Sequence, residues 1–490
     1  MKMKKQIFIL TILFFSTKII LAQFPNDTLY QTSYIVNTPT LPPLFGAIID
    51  STVPDPITIT RITEYNTTWN WYPIHDYAKI QPWNANASIY KFSSVAIYDA
   101  NTHQMIRTLP GNLYPSYWSN VNSDMMYSFR EDGDIKTYSV LNDSFQTLYQ
   151  LQGYEMVKLG PGEGNIDKND HYVALVGKDS LDLDVIIFNL QTNQVEHIET
   201  FVGAWGTGNS VPDYIDWVSV SQSGNYVGIM WNHNTTSINN PFNGHYGVEI
   251  YNTTDMQFLR RIADYGNHGD FGHAIDGREV FVQFWGPTGT LNMYYLDSLQ
   301  RVELSNNPDF SGEGHVSCRN LNRPGWAYVS QDDSAHSGQM IAIKLDNSGL
   351  VEHFGHHYSS SSTYNKSPMP VPSPNGDKLM FKSDFGNAAN TLEVFCFEAQ
   401  KINVLAIDEF DNINLNIYPN PANNLVHIKN KKIITDIRIY NSIGKEVIAI
   451  SNINANDIEF SVQNLEEGVY FVKIRNVNKQ IIIKKIVKDK

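Results

Sequence analysis

Cysteine is nearly absent from this chain, with 2 residues in 490. So few cysteines exclude a disulfide-rich scaffold and a cysteine-rich metal module. Charge is also sparse at 18% of residues, and acids outnumber bases by 50 to 36. This acidic balance argues against nucleic-acid binding, which normally needs a basic patch. Because 42% of the residues are hydrophobic, the chain can bury a substantial core and is not globally disordered.

Long apolar runs are missing as well. At the N-terminus, three lysines within the first five residues precede an apolar run over residues 7–15, and a small residue, Ala22, ends the segment. This pattern predicts a secretory signal peptide over residues 1–22, cleaved after Ala22. A membrane anchor is the alternative, but the run is short and Lys18 interrupts it. No later stretch reaches about 18 consecutive apolar residues, so we expect no transmembrane segment in the mature chain.

The charge is distributed unevenly. The overall net charge is −14, but residues 1–22 and residues 411–490 each carry +4, so the section 23–410 carries −22. The basic tail also has its own pattern, in which isoleucine and leucine alternate with asparagine over residues 413–417. Such alternation predicts a strand with one buried face, and turn residues follow it. Further short strands complete a predicted small β-sandwich of about 75 residues: Val426–Ile428, Ile437–Ile439, Phe460–Val462, Val469–Ile474 and Ile481–Val487.

Four motifs follow one another in this tail. They are Ile417-Tyr418-Pro419-Asn420-Pro421, Ile439–Lys445, Leu465–Lys473 and the closing Lys484-Lys485-Ile486-Val487. With them, residues 414–490 resemble the C-terminal sorting domain of the type IX secretion system of Bacteroidetes. The resemblance covers about one sixth of the chain and implies export across the outer membrane, removal of the tail, and release or surface attachment of the rest. An immunoglobulin-like accessory domain is the alternative. Residues 406–413 are predicted to be a linker.

The middle of the chain repeats one pattern, a strand followed by a polar turn and a second apolar strand. Clear copies occupy Val220–Ile229, Ala274–Val282 and Pro372–Phe381. The turns begin near residues 82, 118, 166, 220, 274, 321 and 372, so the spacing is about 36 to 54 residues. Helix-period stretches are nearly absent. The repeats predict an all-β fold, a seven-bladed β-propeller over residues 23–405, with a β-sandwich array as the alternative.

The seventh unit has no fourth strand of its own, because its third candidate strand, Thr391–Glu398, is followed by the linker. A strand near the start, Ile57–Ile62, could supply the missing one and close the ring. Closure of this kind removes an exposed sheet edge.

The turn Ser373-Pro374-Asn375-Gly376-Asp377, with the apolar strand after it, resembles the repeats of TolB-type propellers. Oligogalacturonate lyases belong to that group, and the resemblance to them implies a catalytic histidine and a His-x-His metal pair in the last blade. His268 and His315 could match the base and a ligand by blade position. The comparable last-blade stretch, 367–372, offers only Ser367, so the sequence departs from the metal-dependent lyases there.

Polar residues recur just upstream of the predicted turns, where the innermost strands of a propeller begin and converge on one face. Histidine with aspartate or glutamate can bind a divalent cation or transfer protons, and arginine can bind a carboxylate through two hydrogen bonds. Tyr77, Trp217 and Phe271 could stack on sugar rings. The alternative role for all of them is to tie blades and loops together. The candidate ligand-binding residues are His75, Asp76, Glu163, Asp216, His268, Asp270, Glu313, His315 and Arg319.

Two further features have local interpretations. His353, His356 and His357 lie beside a serine-rich segment and are interpreted as part of a solvated loop. Cys318 and Cys396 fall in different predicted blades, and the sequence leaves their pairing open.

The sequence therefore favours a secreted or cell-surface propeller that is exported by the type IX machinery and binds a glycan or a protein. The alternatives are a polysaccharide-active enzyme, a lyase or hydrolase working from the central funnel, and a purely adhesive surface protein. No cofactor is predicted, although a divalent cation is compatible with the candidate residues. The charge of −22 on the middle section would repel a polyanion, which favours a neutral glycan.

Overall fold

A computed structural model of the chain describes residues 37–489, apart from residues 69, 71, 233–243, 285–288, 306–313, 331–337, 391–392, 402–414, 442–444 and 478–480. The predicted signal peptide and linker and the candidate Glu313 lie outside the described residues. The chain divides into two compact units, residues 1–402 and 403–490. About 50% of it is strand and about 2% is helix, which confirms the all-β prediction. Within the described ranges, no helix is long and apolar enough to cross a membrane.

Seven antiparallel sheets follow one another along the described residues of the first unit. Two strands precede them, β1 (Ala47–Asp50) and β2 (Ile57–Arg61). The first three sheets consist of β3 (Ile89–Phe92), β4 (Ala96–Asp99) and β5 (Met105–Thr108); β6 (Ser116–Trp118), β7 (Met125–Phe129), β8 (Asp134–Ser139) and β9 (Ser144–Gln150); and β10 (Met156–Leu159), β11 (Tyr172–Asp179), β12 (Asp182–Asn189) and β13 (Gln194–Phe201).

The remaining four sheets continue the same order. They consist of β14 (Ile215–Val220), β15 (Tyr226–Trp231), β16 (Val248–Asn252) and β17 (Phe258–Ala263); β18 (Asp270–His273), β19 (Glu279–Phe284), β20 (Leu291–Tyr295) and β21 (Arg301–Glu303); β22 (Val316–Ser317), β23 (Trp326–Ser330), β24 (Gln339–Lys344) and β25 (Val351–His356); and β26 (Val371–Pro372), β27 (Lys378–Ser383) and β28 (Phe395–Lys401). The predicted units agree with these sheets, since β14 ends at the predicted turn start 220 and β26 at 372.

The first strand of each complete sheet is its innermost strand and the fourth is its outermost strand, as burial indicates. Five of the six residues of β14 are buried, whereas every second residue of β13 is exposed. Such alternation arises when one face of a strand packs on a neighbouring sheet and the other faces water. Gln81, in the first sheet's leading segment, donates from Nε2 to the carbonyls of Arg319 (3.0 Å) and Pro372 (3.1 Å). The innermost segments of the first, sixth and seventh sheets therefore meet at the centre of the first unit, as in a β-propeller.

The N-terminal strand β2 completes the seventh sheet. It pairs with β28 from Ile57 opposite Lys401 to Arg61 opposite Phe397, and β1 then pairs with β2. The predicted closure is confirmed, although the partner strand spans residues 395–401 and not 391–398. Ile57 and Ile59 are fully buried in the apolar core between the sixth and seventh sheets. The pairing covers an edge of β28 that would otherwise be open to other strands.

A buried carboxylate ties the closing strands to the sixth sheet. Asp50, at the end of β1, accepts hydrogen bonds from the backbone N–H of His356 (2.7 Å) and from Oγ1 of Thr52 (2.6 Å), and lies 2.8 Å from Nδ1 of His356. His353 and His356 are buried in β25, and His357 is buried just after it, so their interpretation as a solvated loop is wrong. The element that covers His356 lies about 300 residues away in sequence, so no local pattern could reveal it.

We expect Asp50→Asn to destabilise the protein at neutral pH and to matter less as the pH falls below about 4. Burial alone raises the pKa of Asp50, but the hydrogen bonds and the nearby His356 ring outweigh it and hold the pKa below its ordinary value of 3.8. A carboxyl group whose pKa is lowered by folding stabilises the fold above its unfolded-state pKa and loses this effect as the pH falls through the lowered value. Urea unfolding of wild type and variant between about pH 7 and pH 3 measures the difference. A difference in free energy of unfolding that stays constant over this range would contradict the assignment.

Both cysteines are buried and free. Cys318 is 2% exposed and Cys396 is 0% exposed, and no disulfide joins them. Burial raises the pKa of each thiol well above its ordinary value. They are inert apolar core residues at neutral pH.

The described residues of the second unit form one five-stranded sheet around a single apolar core. Its strands are β29 (Leu415–Tyr418), β30 (Leu425–Asn441), β31 (Glu446–Ser461), β32 (Gly468–Asn476) and β33 (Ile481–Lys488). The first half of β30 pairs with β29 and its second half with β32, while β31 follows β30 along both halves. The N–H of Ala422 donates to the carbonyl of Val487 (2.8 Å), which joins the two ends of the sheet. The sequence predicted two short strands in place of β30 and missed most of β31, whose asparagine-rich stretch 452–456 has no apolar run.

Candidate functional site

Tyr77 lies at the centre of a polar cluster. Its hydroxyl is 2.7 Å from Nδ1 of His268. The centroid of the His268 ring is 4.7 Å from that of His315, and Tyr364 packs edge-on against His315 at 5.9 Å. These four residues belong to the first, fifth, sixth and seventh sheets. Each one precedes the innermost strand of its sheet, which is why the propeller brings them together.

Lys79 joins the third and fourth sheets to this cluster. Its Nζ lies 2.8 Å from the carboxylate of Glu163 and 4.9 Å from the ring centroid of Trp217. The indole Nε1 of Trp217 donates to the backbone carbonyl of Glu163 at 3.2 Å. The Lys79 side chain is 2% exposed, so its charge is offset within the protein by Glu163 and by the π face of Trp217.

Asp216 projects from a β-bulge in the fourth sheet. The register of β14 against β15 shifts between Ile215 and Trp217, so Asp216 is an extra residue without an opposite partner. A bulge of this kind re-aims a side chain, and Asp216 is exposed between two buried neighbours. Water reaches the residue, but partial burial removes some of the hydration of the carboxyl group and raises its pKa above the ordinary value. Lys79 opposes this rise and Glu163 adds to it.

The funnel cluster is the name used here for Tyr77, Lys79, Glu163, Asp216, His268, His315 and Tyr364. Its floor is buried, with His315 at 3% and Tyr77 at 7% exposure, while Tyr364 is 57% exposed. Burial, reinforced by the carboxylate of Glu163, raises the pKa of Tyr77, so the phenol keeps its proton at physiological pH. The cluster therefore gathers hydroxyl, imidazole and carboxylate groups from six sheets, and water reaches it at Glu163, Asp216, His268 and Tyr364.

Two of the predicted ligand residues are held in a buried ion pair. Asp270 accepts hydrogen bonds from Nε and Nη2 of Arg319, both at 2.9 Å, and from the backbone N–H of Cys318 and Phe271, both at 2.8 Å. Asp270 is 0% and Arg319 3% exposed. This pair ties the fifth sheet to the sixth, and neither side chain is among the solvent-facing groups of the funnel cluster.

The other predicted residues divide between the cluster and the layer beneath it. Asp76 forms an ion pair with the buried Lys91 at 2.7 Å. His75 is 1% exposed, and burial, together with the charge of Lys382, lowers its pKa well below the ordinary value, so the ring is neutral. The candidates that the structure brings into the funnel cluster are Glu163, Asp216, His268 and His315.

Sequence reasoning missed Lys79 and Tyr364. Both lie in the segments before the innermost strands that supplied the other candidates, so the same positional rule applies to them. Tyr364 lies three residues before the stretch 367–372, which the lyase resemblance singles out and which ends in β26. Lys79 gives no local signal, since its role depends on Glu163 in another sheet.

Sequence comparison finds a family match in the tail of the chain. Residues 416–489 match the family described as the secretion system C-terminal sorting domain. The tail is a type IX sorting domain. The match starts within two residues of the predicted boundary at 414. A sorting domain of this family marks the chain for export by the type IX secretion system. No curated protein matches the chain by sequence.

Solved structures similar to this chain include two oligogalacturonate lyases. One, in complex with manganese, has a TM-score of 0.52 and 11% identity, over 74% of this chain and 97% of that chain. The second, from Vibrio parahaemolyticus, has a TM-score of 0.51 and 12% identity, over 75% of this chain and 99% of that chain. At this level of identity the likeness shows the propeller fold alone.

The first of these lyases was solved with manganese, so a comparable site in this chain would need several metal-ligating side chains close together. Among the residues with described positions, no three histidine, cysteine, aspartate or glutamate side chains lie close enough together to hold a metal ion. The stretch 367–372 supplies backbone to β26 and no histidine. The described residues therefore do not fit the metal site that the lyase resemblance implies.

Proposed function

We propose that the propeller is a glycan-binding protein that works outside the outer membrane and holds a neutral sugar in the funnel cluster. The basic and apolar N-terminal segment supports a first export step that uses a signal peptide. The sorting domain supports a second step through the type IX system. After the tail is removed, the propeller is released or stays attached to the outer surface of a Bacteroidetes cell.

One observation carries the binding proposal: side chains from six of the seven sheets converge on a single solvent-reached cluster. The Asp270–Arg319 pair ties two neighbouring sheets and is shielded from water. The funnel cluster instead combines an exposed aromatic ring, Tyr364, with donors and acceptors at Tyr77, His268 and Asp216. Sugars present an apolar ring face and many hydroxyls, and these groups complement both parts of the cluster.

The local charges favour an uncharged sugar over a uronate. The ammonium group of Lys79 is already paired with Glu163 at 2.8 Å, and Asp216 adds a further acid to the cluster. The section 23–410 carries −22 overall, so its field repels a polyanion. A neutral glycan meets no such barrier.

The imidazole pair supports a second candidate function, proton transfer to or from a bound polysaccharide. His268 and His315 lie 4.7 Å apart between ring centroids, and burial raises the pKa of the nearby Asp216 above its ordinary value. Imidazole and carboxyl groups are the usual groups for proton transfer in enzymes. If the protein releases new reducing ends from a glycan that it binds, the enzymatic function is favoured over binding alone.

We expect His268→Ala to weaken glycan binding severalfold and Asp216→Asn to weaken it about tenfold or more. A typical hydrogen bond contributes about 0.5–1.5 kcal/mol and one to a charged group about 1.5–3 kcal/mol, and about 1.4 kcal/mol corresponds to a tenfold change in Kd. The measurement is titration calorimetry of the purified chain with the members of a neutral glycan panel that bind the wild type.

Matched controls lie on the outer edges of the sheets. His197→Ala, in β13, and Asp255→Asn, in the turn after β16, remove the same side-chain groups far from the funnel cluster. Both controls should bind as the wild type does. The proposal fails if the funnel variants keep their melting temperature and wild-type affinity, or if the wild type binds no glycan at all.

A further inference from the structure

A second cleft opens next to the funnel cluster, between the second and third sheets. It encloses about 470 Å³, and its wall includes Tyr114, Tyr117, Phe129, Arg130, Asp132 and Lys158. This volume lies within the roughly 300–1,000 Å³ of typical ligand clefts. The segment that carries Tyr114 precedes β6, and Arg130 and Asp132 lie in the turn from β7 to β8. Both therefore lie at the end of the second sheet where its innermost strand begins, as Tyr77, His268, His315 and Tyr364 do in their own sheets.

The cleft adjoins the funnel cluster through one tight turn. Leu159 lines the cleft, and its carbonyl accepts a hydrogen bond from the N–H of Gly164 (3.4 Å). Glu163 of the funnel cluster lies inside this turn, and its N–H donates to the carbonyl of Gly160 (3.1 Å). A Cβ at Gly160 would lie 1.9 Å from the carbonyl oxygen of Val218, so the turn is packed directly on β14. The cleft wall and the funnel cluster thus share one turn that is packed against β14.

The chemistry of the cleft suits an uncharged sugar. Tyr114 is 63% exposed and offers an aromatic face, while Phe129 and Tyr117 form a buried apolar floor. Two ion pairs line the rim, Arg130 with Asp132 and Lys158 with Glu131, each at 3.2 Å. The two cations and two anions cancel, so the rim provides donors and acceptors for hydroxyls without a net charge. Arg130 also donates to the carbonyl of Asn112 at 3.1 Å, which holds the segment before Tyr114 in place.

We infer that this cleft binds further sugar units of the glycan whose first unit occupies the funnel cluster, so that the ligand is a neutral oligosaccharide and not a monosaccharide. The inference rests on the proposed function and adds the length and charge of the ligand to it. The ring of Tyr114 packs against the second sugar ring, and the Arg130–Asp132 pair forms hydrogen bonds with the hydroxyls of that sugar.

Titration calorimetry of the full chain with gluco-, xylo- and manno-oligosaccharides of increasing length, alongside oligogalacturonates of matched length, tests this. In the series that binds, we expect the longer sugars to bind at least tenfold more tightly than the monosaccharide. Tyr114→Ala should remove this gain and leave monosaccharide affinity unchanged, whereas Asp216→Asn should weaken both. Phe258→Ala, which removes a 49% exposed aromatic ring from β17, is the matched control and should leave both affinities unchanged.

The outcomes separate the two proposals. If the monosaccharide binds and Asp216→Asn weakens it, but Tyr114→Ala keeps the gain with length, the cleft inference is overturned and the funnel proposal stands. Equal affinity at all lengths, or tighter binding of oligogalacturonates, also overturns the inference. If no sugar binds, both proposals fall. Should Tyr114→Ala lower the melting temperature, Asp132→Asn, at a side chain 55% exposed, provides the same test.

Discussion

Substitution of Asp270 by asparagine should lower the free energy of unfolding by about 3–5 kcal/mol, because it leaves the buried guanidinium of Arg319 without its counter-charge. The carboxylate accepts four hydrogen bonds from Arg319, Cys318 and Phe271, and an asparagine amide group would turn a donor toward some of these donors. Urea unfolding followed by circular dichroism measures the loss.

The same sheet provides the matched control for this substitution. Asp276 pairs with Arg278 at 2.8 Å, but both side chains are about 40% exposed, so Asp276→Asn should change stability very little. A stable Asp270→Asn variant that has lost glycan binding would contradict the account. It would return Asp270 and Arg319 to the ligand site that the sequence predicted for them.

The second large effect concerns ring closure. Ile59→Ala should destabilise the protein by about 2–5 kcal/mol, since Ile59 is fully buried between the sixth and seventh sheets and a cavity would remain there. Because β2 is the strand that completes the last sheet, the loss should also speed exchange of the backbone N–H groups of β28. Hydrogen exchange combined with urea unfolding measures both effects.

Ile49→Ala provides the control for closure. Ile49 lies in β1, next to β2, but is 64% exposed, so its truncation should change stability by no more than about 0.5 kcal/mol. If the two variants are equally stable, or if exchange in β28 is unchanged in Ile59→Ala, then β2 does not close the ring in solution.

Much of this architecture was predictable from periodicity. Seven polar turns with flanking apolar strands recur at similar spacing, and a repeat of that length without helix has few solutions other than a propeller. Closure by residues 57–62 followed from the missing fourth strand of the last unit. The same regularity located His268, His315, Glu163 and Asp216, because each of them lies just upstream of a predicted turn at the inner edge of a sheet.

What the sequence could not supply is the contact between sheets. Asp270 is only two residues from His268, yet Asp270 is buried against Arg319 of the next sheet while His268 lies in the funnel cluster. Strand alternation does not separate them, since the division depends on how two sheets pack. The buried ties of His356 to Asp50 and of Lys79 to Glu163 were missed for the same reason.

The most direct test of the central claim is a crystal structure of the chain bound to the neutral glycan that binds most tightly. We predict one sugar ring stacked near Tyr364, with its hydroxyls within hydrogen-bond distance of His268 and Asp216. A sugar bound elsewhere on the propeller, with the funnel cluster filled by water alone, would contradict it.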